Sequence, residues 1–250
     1  MSTRILFIGA HNDECDYGCG GITALLTQKG CDVHYLNVAC FWHTEAATEG
    51  DIARWEGQEQ KAAEILGAQK TIIGPRDGYV YENGRGMVLA IEKFVLDYNP
   101  DIVFIHWPYD NHVEHRMVAH DSFHALKWAA LHGARIKEIY AYEAGINQSV
   151  PYFRYDFFVD VTSVMPLVEE SLACYDQPTA KGEDLWREKL AGTALRGCSM
   201  GRERAEAFKI IKFPNENEDF LLKTILNEHF KWAGGGFGPA YQELYSELKL

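Results

Sequence analysis

The sequence predicts an α/β fold, Rossmann-like, with a mostly parallel sheet, helices on both of its faces, and a single domain over residues 1–250. Three observations carry that prediction. Short apolar runs alternate with stretches of helical period along most of the chain, the pattern of parallel strands joined by helical crossovers. The helical stretches close at glycine or just before proline, where helices characteristically end. No Pro/Gly/Ser-rich linker divides the halves, and there is no internal repeat or low-complexity tract.

In chain order, Ile5 to Ile8 is the first strand, and Ile22, Leu25 and Leu26 begin the first helical stripe. Val33 to Val38 is the second strand. Ile52, Trp55, Ala62, Ile65 and Leu66 share a helix face that Gly67 closes. Thr71 to Ile73 reads as a strand, Val88 to Leu96 as a helix stopping before Asn99-Pro100, and Ile102 to Ile105 as the fourth strand. Val113 to Leu131 is a helix ended by Gly133, and Ile136 to Tyr140 a fifth strand. After residue 145 the pattern loosens. A strand is expected at Phe157 to Val161, a helix at Val164 to Tyr175, and a longer Arg- and Glu-rich helix within Asp184 to Phe208. The segment from Phe230 through Gly238 is glycine-rich and aromatic; it suits a substrate-side loop or a subunit contact in a homo-oligomer, although loose tails are commoner.

Lysine and arginine total 24 against 36 aspartates and glutamates, a formal charge of -12. That balance repels phosphate backbones and anionic lipid, so neither nucleic acid nor a membrane is the expected partner. No run approaches the roughly 20 apolar residues that cross a bilayer. The amino terminus lacks the apolar stretch and small-residue cleavage site of a secretory signal, which points to the cytoplasm. Six cysteines (Cys15, Cys19, Cys31, Cys40, Cys174 and Cys198) are too sparse for a disulfide scaffold, and reduced thiols are expected.

The chemistry concentrates where strands end. The first strand empties into Gly9-Ala10-His11-Asn12-Asp13-Glu14. A dinucleotide turn would need glycines at once, to bring amides to pyrophosphate; here Gly18, Gly20 and Gly21 come too late, and the paired carboxylates would repel the ligand. His11 and Glu14, three apart, can instead both donate to a divalent cation. The bland alternative is that Asp13 or Asp16 caps a helix starting near Gly20, with His11 merely on the surface. A second constellation shifts the balance. His106-Trp-Pro-Tyr-Asp-Asn-His112-Val-Glu-His115 follows the fourth strand at the same edge of the sheet, with His112 and His115 about one turn apart. Together the two clusters make a three-ligand site with an open position, which hydrolytic chemistry requires.

The remaining polar and aromatic residues weigh less. Cys15 and Cys19 are expected in packing positions. His106, at a strand end, reads as either a partner that supports a metal ligand or a satisfied core histidine, with the latter favoured, and His120 and His124 point along the helix away from the crevice. Arg76-Asp77-Gly78 reads as a turn at the same sheet edge. Trp42, Trp107 and Tyr109, near strand ends, offer faces on which sugar rings stack.

These residues resemble the LmbE-like or PIG-L family of zinc-dependent N-deacetylases. Its strand-loop signature A-H-P-D-D-E is matched by Ala10-His11-Asn12-Asp13-Glu14. Its second signature, P-x-D-x-H-x-D-H, is matched by Pro108-Tyr-Asp110-Asn-His112-Val-Glu114-His115. Weaker echoes include Glu59 with Ala62-Ala63, Asp77-Gly78, Val159-Asp160-Val161-Thr162 and Ala205-Glu206-Ala207-Phe208. The resemblance implies one zinc ion per chain, with Fe2+ or Co2+ as alternatives, held by His11, Glu14 and His115. It makes Asp13 the general base and His112 an imidazolium that stabilises the oxyanion, oriented by Glu114. Asp77, Arg76 and Arg54 become contacts to the substrate. The chain departs from the family at Asn12 (proline), at Glu14 (aspartate) and at Glu56, where an arginine is usual. The expected activity is removal of an N-acetyl group from an N-acetylglucosamine-type sugar or conjugate. The rivals are a zinc amidase for a non-sugar amide and a non-catalytic sugar-binding protein on the same scaffold.

Overall fold

The computed structural model describes residues 2–38, 48–73, 84–145, 153–175, 185–212 and 219–233. The first five strands alternate with helices as expected: β1 (Arg4–Gly9), α1 (Glu14–Gln28), β2 (Asp32–Asn37), α2 (Glu49–Ile65), β3 (Gln69–Ile72), α3 (Gly84–Tyr98), β4 (Ile102–His106), α4 (Val113–Leu131) and β5 (Glu138–Tyr142). There follow β6 (Phe157–Asp160), α5 (Met165–Leu172), α6 (Leu185–Met200), β7 (Ala205–Lys212), α7 (Leu221–Leu226) and β8 (Phe230–Trp232). The eight strands of the described residues join one sheet in the order β3-β2-β1-β4-β5-β7-β6-β8. The pairs from β3 through β5 are parallel, and β7 enters antiparallel between β5 and β6.

Alternate residues of β1 show why helices cover both faces. Ile5 and Phe7 pack with Ile22, Leu26 and Val168, on the side of α1 and α5. Leu6 and Ile8 pack with Ile91, Val95, Val118 and Leu126, on the side of α3 and α4. A strand buried on both faces reads as an unbroken apolar run, which is how β1, β2 and β4 appear in the sequence. Between β1 and β4 the strand order reverses. Open sheets form their crevice beyond the carboxyl ends of the strands at such a switch point.

Two expectations need correction. Helix α1 begins at Glu14, not near Gly20, so Gly18, Gly20 and Gly21 lie inside it. They serve close approach: a Cβ on Gly18 would stand 2.7 Å from the Tyr142 ring, and one on Gly21 would stand 2.6 Å from Val161. The fifth strand runs two residues later than Ile136 to Tyr140. The long helix expected within Asp184 to Phe208 is α6, Leu185–Met200, and the same stretch also holds the start of β7. Gly201, at φ +72°, ends the helical run, and Ala205 to Phe208 is buried between two strands, where tertiary context overrides propensity. The start of the aromatic tail is also strand, β8 pairing with β6; residues from 234 on lie outside the described residues. No described helix is long and apolar enough to cross a membrane. The five described cysteines are free thiols, with Cys15 and Cys19 buried in the core.

Candidate metal centre

The loop after β1 and the loop after β4 meet at the switch point, and their polar groups interlock around Glu14. Glu14 is the first residue of α1, and its carboxylate turns back over the loop. Its Oε2 accepts the amides of Ala10 (2.7 Å) and His11 (2.8 Å) and lies 2.8 Å from His106 Nε2. Its Oε1 stands 2.6 Å from His11 Nδ1 and in direct contact with His115 Nε2. A carboxylate with four cationic or N–H neighbours is strongly favoured in its charged form. Burial resists that charge, but His115, His11 and His106 outweigh it and hold the carboxyl well below its ordinary range.

The second strand end supplies the rest. Asp110 accepts the His112 amide at 2.7 Å through Oδ1, and its Oδ2 lies 3.1 Å from His115 Nδ1. It therefore starts α4 and orients a ring of that helix at once. Outer carboxylates of this kind set the tautomer and direction of a metal-binding imidazole. Glu114 Oε2 lies 2.6 Å from His11 Nε2, bridging the two loops. His11 and His115 are buried and His112 is partly so, and the three offer ring nitrogens within 4.8 Å of one another.

Protonation differs sharply from ring to ring. Burial opposes charge on His11, but Glu14 and Glu114 hold its pKa up at about 10. His115 is likewise held at about 9 by Glu14 and Asp110 against the cost of burial. His112 goes the other way: burial first, then the neighbouring His115 and His11, push it down to about 4. Burial and the adjacent Glu14 raise Asp13 to about 6.

Most of the expected site residues come together here. His11, Glu14, His115, His112 and Glu114 converge, and Asp13 precedes Glu14 at the same helix start. The capping alternative fails, because the Asp13 side chain makes no cap hydrogen bond and Asp16 is buried in an ion pair with Lys70. Glu114, expected to orient His112, contacts His11. Arg54 lies on the outer side of α2, half exposed and 3.6 Å from Asp51. Arg76, Asp77 and Trp42 lie outside the described residues. His120 and His124 are exposed on the outer face of α4, as expected.

Contacts define the places of two further residues. His106 is not an ordinary core histidine: it is fully buried, holds Glu14, and stacks on His115 with ring centroids 4.8 Å apart. Its position as the last residue of β4 is the signal that the sequence offers. Asp110 is marked by its place two residues before His112, where a carboxylate meets a helix start.

The donor set fits a divalent ion. Three imidazoles and a carboxylate are the hard-to-borderline ligands that zinc takes, and outer carboxylates already orient two of the rings. A family model described as "PIG-L: GlcNAc-PI de-N-acetylase" matches residues 6–126, which contain both loops. The uncharacterized deacetylase YaiS of Escherichia coli is 32% identical over 141 residues, 56% of this chain and 72% of that protein. The diacetylchitobiose deacetylase of Thermococcus kodakarensis is 26% identical over 230 residues, 83% of each chain. Among solved structures, GalB, the 4-carboxy-2-hydroxymuconate hydratase of Pseudomonas putida, superposes with a TM-score of 0.71 at 21% identity, covering 87% of this chain and 99% of that one. At that identity the likeness shows the fold alone, and the chemistry has to be argued from the site.

Proposed function

The chain belongs to the PIG-L family, and from that premise we propose that it is a metal-dependent N-deacetylase acting on an N-acetylglucosamine-type sugar or conjugate. The carrying observation is the convergence of His11, His112 and His115 within 4.8 Å around Glu14, with Asp13 alongside. Zinc held there by His11, Glu14 and His115 would polarise an amide carbonyl and acidify water. Fe2+ or Co2+ would suit the same ligands.

The chain's own groups then divide the work. Asp13, held at about 6 by burial and by Glu14, is ionised at neutral pH and takes the proton of the attacking water. A base with a pKa near the working pH can also give the proton back, here to the leaving amine. His112 offers an N–H to the oxyanion of the tetrahedral intermediate. Glu114 and Asp110 hold the rings of His11 and His115. A pyranose is supported by the rim: Tyr109 is 56% exposed one residue before Asp110, with its ring edge-on to Trp107 at 5.3 Å.

The test is acetate release from N-acetylglucosamine, diacetylchitobiose and a glucosaminyl conjugate, before and after chelation and after zinc is returned. Release that stops with chelator and resumes with zinc is the expected result. Bound zinc without release from any of the three would move the substrate to a non-sugar amide. No zinc binding at all would favour a sugar-binding protein.

A further inference from the structure

We propose that Lys70 is a positioning residue for the metal centre, clamping the peptide that joins His11 to Asp13. Lys70 lies on β3, and its side chain is wholly buried. Its Nζ donates to the Asn12 carbonyl at 2.5 Å and to Asp16 Oδ2 at 2.9 Å. The Tyr175 hydroxyl, just beyond α5, completes the clamp, 2.7 Å from Asp16 Oδ2 and 3.0 Å from the same Asn12 carbonyl. One residue earlier, the His11 carbonyl accepts from Asn37 Nδ2 at 2.6 Å. Side chains from β2, β3 and the end of α5 therefore grip two successive carbonyls of the loop.

The mechanical consequence follows from peptide planarity. The Asn12 carbonyl lies in one rigid plane with the Asp13 amide. Fixing the oxygen fixes that plane, and with it the direction in which Asp13 leaves the backbone. Asn12 itself has no ring to restrict φ, as a proline would. Asp16 ties the clamp to α1, three residues into the chain from Asp13, so the loop and helix start move as a unit.

The cluster is an expensive way to pack a core. Lys70 faces Asp16, and Glu59 Oε2 at 3.6 Å, and all three side chains are sealed from solvent. Neither Glu59 oxygen has a hydrogen-bond partner among the described residues. Replacing such a group by apolar residues is often neutral or stabilising. Its retention is explained if the ammonium serves the loop on which it ends.

The proposal rests on the metal reading above, and the test separates the two. Zinc affinity of the full chain is measured by competition with a chromophoric chelator, alongside thermal unfolding, for the wild type, Lys70→Met, Tyr175→Phe and Glu59→Gln. Removal of outer partners typically lowers metal affinity by about 10- to 100-fold. Lys70→Met is expected in that range and Tyr175→Phe at its lower end. Glu59→Gln, which does not touch Asn12, is expected to change thermal stability and leave zinc affinity alone. A merely structural cluster would lower melting temperatures and leave the zinc affinity of folded protein unchanged; that result overturns the proposal. Should Lys70→Met fail to fold, Tyr175→Phe decides it in the same way. A wild type that binds no zinc would sink the metal reading together with this one, whereas wild-type binding with unaltered variants sinks this one alone.

Discussion

Helix α1 meets buried charge in its first turn and in its middle, and the two regions are built differently. In the middle, Glu206 of β7 accepts the amides of Gly21 (2.9 Å) and Ile22 (2.8 Å), and also binds Lys189 of α6 at 2.5 Å. Lys189 in turn donates to the carbonyl of Tyr17 at 2.5 Å and reaches that of Gly18 at 3.4 Å. Those amides and carbonyls are the groups that pair four residues apart in a regular helix. The ion pair sits beside one turn of α1 with one acid, one base and a full set of partners. At the helix start, by contrast, four imidazoles crowd four carboxylates. Their protonation is pushed in opposite directions, and His106 Nδ1 has no partner among the described residues. Burial of charge alone does not mark function. Strong shifts and unfinished pairing in a crevice do.

The two regions are expected to fail differently. The largest expected effect is at the start of α1. Asp13→Asn keeps the size of the side chain and removes the base, so deacetylation should fall by about 10^3, within the range for lost general-base catalysis. Zinc content and melting temperature should hold. Parallel assays of acetate release and bound metal check this, and an Asn variant that retains most of its turnover would remove Asp13 from the mechanism. In the middle of α1 the expectation reverses. Lys189→Met strands a buried carboxylate and should cost about 3–5 kcal/mol of stability, read by urea unfolding. Lys189→Met combined with Glu206→Leu should recover part of it, because no unpaired charge remains. A single variant as stable as the wild type would show that the pair contributes nothing to the helix.

The same contrast explains what the sequence can reveal. Alternation and helix ends are visible for β1 through β5, because strands buried on both faces and helices with apolar stripes leave period and punctuation behind. Residues 205–208, with Glu206 among Ala and Phe, carry no clear strand period, and it is the neighbouring strands that make them β7. At the site, His11, Glu14, His112 and His115 are readable from spacing and strand ends. The roles of His106, Asp110 and Lys70 depend on contacts across 92, 5 and 58 residues of chain. The downward shift of His112 is hidden from the sequence for a related reason: burial causes it first, and then His115 and His11, the latter about a hundred residues away.

A pH series tests the unfinished pairing directly. In the metal-free protein His11 is held at about 10 and His115 at about 9, against roughly 6.5 for a histidine in an unfolded chain. Because the folded pKa is the higher one, the folded state binds these protons more tightly. That stabilisation is complete below about pH 6.5 and is lost as pH rises through 9 to 10. Metal must displace the same protons, so its affinity climbs over this interval. The melting temperature of chelated protein should therefore fall from pH 7 to pH 10, while zinc-loaded protein holds, and the gap between them should widen. Calorimetry with and without chelator measures it. A gap independent of pH would mean that the imidazoles are not proton-loaded in the absence of metal.

The smallest expected effect lies outside both charged regions, on the rim. Tyr109 is largely exposed and its ring meets Trp107, which in turn lies edge-on to Phe153 at 5.3 Å. An exposed ring that has no part in holding the imidazoles can influence catalysis only through what stacks on it. Aromatic contacts of this kind are worth about 1 kcal/mol, so Tyr109→Ala should raise KM for an amino sugar by roughly fivefold. The values of kcat, zinc affinity and melting temperature should stay near those of the wild type. The comparison with Asp13→Asn is then sharp, because one variant loses the chemical step with binding intact and the other loses binding with the step intact. If Tyr109→Ala lowers kcat as much as it raises KM, the loop before Asp110 is part of the catalytic geometry, and the rim and the metal centre are a single unit.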